Sequence, residues 1–208
     1  MTASIDFWFD FASTYSYPAA LRIAPLAQAA GVHVRFRPFL LGPIFKAQGW
    51  TTSPFNLYAA KGRHMWRDLE RLCADLGLPF QRPDPFPQNS LLAARVALAG
   101  LEQALGEVFP GEDFCRAVFH AEFAAGRRID DPATIADILA RSRIEPRAAL
   151  AAAQSDAGKA RLRMQTDEAQ RLGLFGAPGF ITADGELFWG NDRLEAALRW
   201  TKRIANSK

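Results

Sequence analysis

The sequence predicts an α/β fold in which the two ends of the chain build one four-stranded mixed sheet and a large all-helical insertion fills the middle. Three observations predict it. Strand periodicity is confined to residues 5–36 and 180–189. The first of these regions reads strand, helix, strand. The stretch 43–155 between them reads as helices and proline-punctuated loops throughout.

The elements follow in order. Ile5, Phe7, Phe9 and Phe11 alternate with Asp6, Trp8 and Asp10, the period-2 pattern of a strand. Ala12 to Pro18 then leads into a helix from about Ala19 to Ala30. Ser13, Thr14 or Ser16 can cap it, and Pro18 is tolerated in its first turn, where the N–H groups lack intrahelical partners. Pro25 is expected to kink this helix and Gly31 to end it. Val32, Val34 and Phe36 alternate with His33, Arg35 and Arg37 as a second strand, completing a βαβ unit if the two strands run parallel. Helices are predicted over 56–76, 90–105, 112–125, 132–142 and 145–154, with Pro79, Pro83, Pro85 and Pro87 marking one long loop. A helix over 157–172 leads to two short strands, 180–182 and 187–189. They flank Asp184-Gly185, a hairpin turn signal. The last helix starts near Asn191 and Asp192, with Glu195 placed to complete a capping box. The order is βαβ, helical block, αββα. That is the thioredoxin plan with its middle expanded: a thioredoxin-like domain of 1–42 and 156–208, and a helical insertion domain of 43–155.

Composition narrows the partners. Apolar residues make up 49% and charged residues 23%, an ordinary globular balance. The net charge of +3 comes without a run of like charges, which argues against nucleic acid. No apolar stretch reaches the ~18 residues of a membrane span. The first residues carry Asp6 and Asp10 and no cleavage-site pattern, so no secretory signal is expected. Cys73 and Cys115 stand alone, without a CxxC or a metal-ligand spacing. A soluble cytoplasmic protein with free thiols and no metal is the expectation.

Three features carry chemistry. In this plan the loop after the first strand sets a small polar residue at a helix N-terminus, where free N–H groups and the helix dipole favour an anion. Ser13 and Ser16 are the candidates. A serine cannot shuttle electrons, but it can donate a hydrogen bond to a bound thiolate and so lower that thiol's pKa; position alone equally allows Ser13 to be a simple helix cap. Ala177-Pro178 lies before a buried strand. It is either turn punctuation or, if cis, a turn that offers the Ala177 backbone to a peptide-like ligand. Gly190-Asn191-Asp192-Arg193 is either a strand end and cap, or a receptor for a zwitterion: N–H groups for a carboxylate and the Asp192 side chain for an ammonium. His33, His64 and His120 show no triad or metal pattern. Of the tryptophans, Trp50 and Trp66 could line an aromatic pocket.

Phe9 to Tyr17, Lys61 to Arg71, Phe175-Gly176-Ala177-Pro178 and Trp189 to Leu194 together resemble the 2-hydroxychromene-2-carboxylate isomerase family. That family is related to the kappa-class glutathione transferases, on the DsbA-like branch of thioredoxin folds, and the resemblance spans about residues 5–200. It implies glutathione as cofactor and the reversible conversion of 2-hydroxychromene-2-carboxylate to trans-o-hydroxybenzylidenepyruvate in aromatic hydrocarbon breakdown. By the same resemblance Ser13 sits beside the glutathione sulfur, and Ala177, before Pro178, pairs with the cysteinyl backbone. Gly190, Asn191, Asp192 and Arg193 hold the glutamyl end. Lys46, Asn56 and Asn89 take the substrate, a small aromatic carboxylate, and a homodimer is expected. Two positions depart from the kappa pattern: Trp50 follows Gly49 where asparagine is common, and His64 stands where tyrosine is common. The thiolate would add to an electrophilic carbon, a bond would rotate or the ring open, and the thiol would leave. Two other readings stay open, a kappa-type transferase or peroxidase and a non-catalytic glutathione-binding module. A dithiol oxidoreductase is excluded at this place, because Ser13-Thr14-Tyr15-Ser16 holds no sulfur.

Overall fold

Apolar side chains on both faces of the first strand force the sheet to be covered on both sides. This is visible in a computed structural model that describes residues 3–102 and 110–207. Strand β1 (Ser4–Phe9) pairs in parallel with β2 (His33–Pro38), and helix α1 (Ser16–Ala30) connects them. Strand β3 (Gly179–Thr182) lies antiparallel on the other side of β1 and carries β4 (Leu187–Trp189) at its edge. The order is β2-β1-β3-β4, a mixed four-stranded sheet. Phe7 faces Phe36 on one neighbour and Phe180 on the other, so three rings pack across the middle of the sheet.

The alternation in β1 separates two cores rather than core from solvent. Ile5, Phe7 and Phe9 join Ile23 of α1 and the helical block in one apolar cluster. Trp8 points the other way, into a second cluster with Phe39, Ile44, Ala169, Leu174 and Ile181. Asp6 behaves as a solvent-side residue, paired with Arg35 at 2.6 Å and Arg37 at 3.3 Å across the β2 edge. Phe11, which the pattern assigns to the strand, is fully buried but lies beyond its end.

Between β2 and β3 the described residues form only helices and loops. They are α2 (Leu41–Ala47), α3 (Pro54–Leu57), α4 (Ala59–Asp75), α5 (Leu91–Leu101), α6 (Gly111–Phe123), α7 (Pro132–Arg141), α8 (Pro146–Gln154) and α9 (Asp156–Arg171). The helix predicted over 56–76 is two helices, because Tyr58 adopts an extended backbone between α3 and α4. The α2 helix had no signal of its own in the sequence. The predicted end of the 90–105 helix falls partly on residues 103–109, which lie outside the described residues. Several starts follow simple rules: Asp131 and Glu145 cap helices that open with Pro132 and Pro146, and Ser155 caps α9. The large cluster runs from the sheet into these helices through Phe119, Leu69 and Ile135 without a break.

At the C-terminal end the capping box is not formed. Asn191–Arg193 make a 3-10 turn, and α10 (Leu194–Asn206) begins after it. Glu195 is drawn instead to Arg22 of α1, which also donates to Asn191 Oδ1 at 3.0 Å. An ion pair to a neighbouring helix has displaced the local cap. Helix α1 continues through Pro25, and Gly31 ends it in a left-handed conformation with its N–H on the Ala27 and Gln28 carbonyls.

Candidate functional site

Everything proposed for the site from the sequence hangs on whether Ser13 meets the Ala177 turn, residues 164 apart in the chain. They meet. Two short turns carry the chain from β1 into α1: Ser13 N–H donates to the Asp10 carbonyl at 3.0 Å, and Ser16 N–H donates to the Ser13 carbonyl at 3.1 Å. This brings the Ser13 hydroxyl to the Ala177 carbonyl, to which it donates at 3.1 Å. The hydroxyl therefore does not cap α1, whose N-cap position is Tyr15 without a side-chain cap bond. The first turn of α1 contains no acidic residue, so nothing of its own offsets the positive end of the helix dipole there.

The Ala177–Pro178 peptide is cis. Pro178 itself is buried behind the turn, and its carbonyl accepts the Gly190 N–H at 2.9 Å. That bond locks the cis-proline turn to the 190–193 segment. Among the described residues the Ala177 N–H has no acceptor. Two glycines make this close approach possible. A Cβ on Gly176 would fall 2.6 Å from the Trp189 indole nitrogen, and Gly190 has φ +108°, where a side chain is strained.

Ser13 and Ala177 stand at the wall of a cleft of about 1610 Å³, which Gly190, Asn191, Asp192 and Arg193 also line. Asn191 is buried and its side chain is occupied by Arg22, so what it offers the cleft is backbone. Asp192 is exposed, with Arg193 3.5 Å away. On the far side lie Lys46 of α2 and Asn89. Lys46 is exposed and makes no ion pair among the described residues. Asn89 uses its Oδ1 to accept from Leu91 N–H at 3.0 Å, which leaves its amide donors free of that bond. Asn56 does not itself line the cleft, although Thr52 and Phe86, which it bonds, do. Its amide bridges toward Thr52 and the Phe86 carbonyl, at 3.5 and 3.3 Å, and it lines a separate groove of about 450 Å³. Trp66 lines that groove too, between Phe86 and Arg82, whereas Trp50 lines the main cleft.

Beyond the reading of Trp50 as a pocket wall, four features of the cleft were not apparent in the sequence. Phe45 and Trp50 pack at 5.6 Å on one wall, and Phe175 and Trp189 pack at 5.0 Å on the other. The second pair is about half exposed, at 47% and 51%. Tyr15 donates to Asp68 of α4 at 2.8 Å; burial and that carboxylate push its phenol well above the ordinary range, so it remains a donor. Arg71 holds the other oxygen of Asp68 at 3.3 Å. Asp10 lines the cleft while being nearly buried. Its place in the alternating run 5–11 carries no sign of this.

The thiols take no part. Cys73 and Cys115 are buried and free, and burial raises the Cys73 thiol to about 11. Among the described residues no group of three His, Cys, Asp or Glu could hold a metal, and no helix is long and apolar enough to cross a membrane.

The chain matches the family model of the DsbA-like thioredoxin domain over residues 4–199. It is 31% identical over 196 residues to a 2-hydroxychromene-2-carboxylate isomerase of Sphingobium xenophagum, covering 94% of this chain and 96% of that one. It is 26% identical over 202 residues to glutathione S-transferase kappa 2 of Caenorhabditis elegans, covering 91% of this chain and 88% of the other. Among solved structures, that of a selenomethionine 2-hydroxychromene-2-carboxylate isomerase superposes with a TM-score of 0.81 at 27% identity, covering 99% of both chains. With the fold, the serine–proline juxtaposition and these likenesses together, the chain belongs to the 2-hydroxychromene-2-carboxylate isomerase family of enzymes, on the DsbA-like thioredoxin fold.

Proposed function

We propose that this enzyme is a glutathione-dependent isomerase that interconverts 2-hydroxychromene-2-carboxylate and trans-o-hydroxybenzylidenepyruvate, with Ser13 holding the glutathione sulfur as a thiolate. The observation that carries the proposal is the 3.1 Å contact between the Ser13 hydroxyl and the Ala177 carbonyl. A hydroxyl has one proton to donate, so serving a thiolate means leaving that carbonyl. The exchange is favourable. A charge-assisted hydrogen bond is roughly twice as strong as a neutral one. The cysteinyl N–H of glutathione, pairing as an added strand, would replace the donor lost to the Ala177 carbonyl, while the Ala177 N–H donates to the cysteinyl carbonyl.

The rest of the tripeptide follows from the same placement. The N–H groups of Asn191 and Asp192 suit the glutamyl carboxylate, those of Gly190 and Arg193 being already bonded to the Pro178 and Gly190 carbonyls, and the exposed Asp192 side chain suits its ammonium. The substrate then lies between the aromatic pairs, with its carboxylate toward Lys46. Lys46→Ala is expected to raise KM for the carboxylate substrate about tenfold and to leave glutathione affinity unchanged, since one cation–carboxylate contact is worth of the order of 1.5–3 kcal/mol. Steady-state kinetics with each ligand varied in turn checks this. Asn56, Gly190 and Pro178 enter the reading only as scaffold. By resemblance the enzyme works in the cytoplasm as a homodimer, and residues 43–155 form an insertion within a thioredoxin-like domain.

The test is the absorbance change as the chromene opens, followed with and without glutathione. Conversion that requires glutathione is the expected result; conversion at the same rate without it contradicts the proposal. The likeness to the kappa-class transferase supports a second reading, conjugation of glutathione to other electrophiles. Disappearance of free thiol during turnover would favour that reading, because an isomerase returns its glutathione.

A further inference from the structure

Asp10 stands between the end of β1 and the turn that carries Ser13, and it is only 4% exposed. Its Oδ1 accepts from the Ala12 N–H at 3.0 Å and from the Ser90 hydroxyl at 2.6 Å, and its Oδ2 accepts from the Leu41 N–H at 2.7 Å. These donors come from three separate parts of the chain. Ala12 is bonded to Ser13. Leu41 opens α2, which carries Lys46. Ser90 follows Asn89 at the start of α5, and it stands in the N-cap position without capping because its hydroxyl is committed to Asp10. One carboxylate thus touches the supports of the thiol side and of both substrate-side residues in the cleft.

The charge state fits that task. Both oxygens of Asp10 accept hydrogen bonds, the pattern of an ionised group; burial raises its carboxyl above the ordinary range, and the three hydrogen bonds oppose that rise. Glu122 of α6 is the contrasting acid. It is fully buried, neither of its oxygens has a hydrogen-bond partner among the described residues, and burial followed by the charge of Asp10 pushes its carboxyl well up. The hydrogen-bond donors have gone to one acid of the pair and not to the other.

We infer that Asp10 is the positioning residue of this site, tying the Ser13 turn, the Lys46 helix and the Asn89 turn to one carboxylate so that bound thiol and substrate meet at a fixed separation. Its catalytic consequence rests on the glutathione-dependent reading. Its structural content does not. Asparagine at this position keeps the size but presents N–H groups where donors already point, so Asp10→Asn breaks at least one of the three ties.

The experiment compares Asp10→Asn and Ser90→Ala with the wild-type protein by hydrogen–deuterium exchange without ligand, by glutathione calorimetry and by kinetics. Faster exchange confined to segments 12–14, 41–47 and 90–94 is expected, with the strands unchanged. With it, kcat is expected to fall about ten- to a hundredfold, as small misplacements of reacting groups do, while glutathione affinity is retained. Exchange that is unaltered, or raised throughout the sheet, overturns the inference. So does full activity, or a loss confined to glutathione binding. If the wild-type protein shows no glutathione-dependent turnover, the functional reading fails, and the exchange pattern by itself still upholds or overturns the tie.

Discussion

Ser13→Ala is expected to bind glutathione and yet lose most of the thiolate, with turnover reduced about a hundred- to a thousandfold, the usual cost of removing one donor aimed at a reacting anion. Binding survives because the Ala177 backbone and the 190–193 segment do not need the hydroxyl. The sulfur, without its donor, returns toward the ordinary thiol value of about 8.5. Ultraviolet absorbance of the bound thiolate, titrated against pH, reads this directly. A wild-type curve centred well below that of free glutathione, and a variant curve close to it, is the expected pair. Identical curves would mean that the hydroxyl plays no part in ionising the sulfur. The variant should also melt slightly lower, because the Ala177 carbonyl loses a partner in a partly buried place.

Glu122→Gln is expected to stabilise the protein, and to do so more at alkaline than at acidic pH. The Glu122 carboxyl is raised in the fold by burial, by Asp10 and by Asp130. The folded protein therefore keeps a proton that the unfolded chain releases above the ordinary value of 4.5. Stability from this group is whole below that value and is lost as pH rises toward the folded pKa, at about 1.4 kcal/mol per unit. Glutamine fills the same space and never ionises. The advantage of the variant in thermal melts should grow steadily as pH rises from roughly 5 to roughly 8. The difference between the two pH values isolates ionisation, since any packing effect of the amide is present at both. A gap that is constant with pH would show that Glu122 is not held neutral.

The sheet was legible in the sequence because period-2 runs such as Ile5–Phe9 and Val32–Phe36 seldom arise outside strands, and their order restricts the topology. Ser13, Ala177 and the 190–193 segment were legible for a related reason. Backbone groups and a small side chain at element ends need particular residues in a particular order. The losses have physical causes. The α2 helix is short and opens with glycine and proline in Leu41-Gly42-Pro43, so its stability comes from Ile44 packed beneath the sheet and not from propensity. The Asp192–Glu195 box failed because Arg22, distant in sequence, offers Glu195 an opposite charge. Asn56 was assigned to the substrate by resemblance alone, and its side chain lines an adjoining groove, bonded to Thr52 and the Phe86 carbonyl at the cleft. Asp10 and Glu122 are a nearly buried and a fully buried acid whose meaning depends on donors that come, or do not come, from elsewhere. Nothing local marks such residues.

The protein's two cysteines are buried, so any reactive sulfur in the cleft must arrive with a ligand. Calorimetric titration of glutathione near neutral pH, repeated in buffers of different ionisation enthalpy, counts the protons released on binding. Free glutathione is only a few per cent ionised there, given a thiol value near 8.5, so capture as thiolate should release close to one proton per site. Binding with no proton release would contradict the account at its centre.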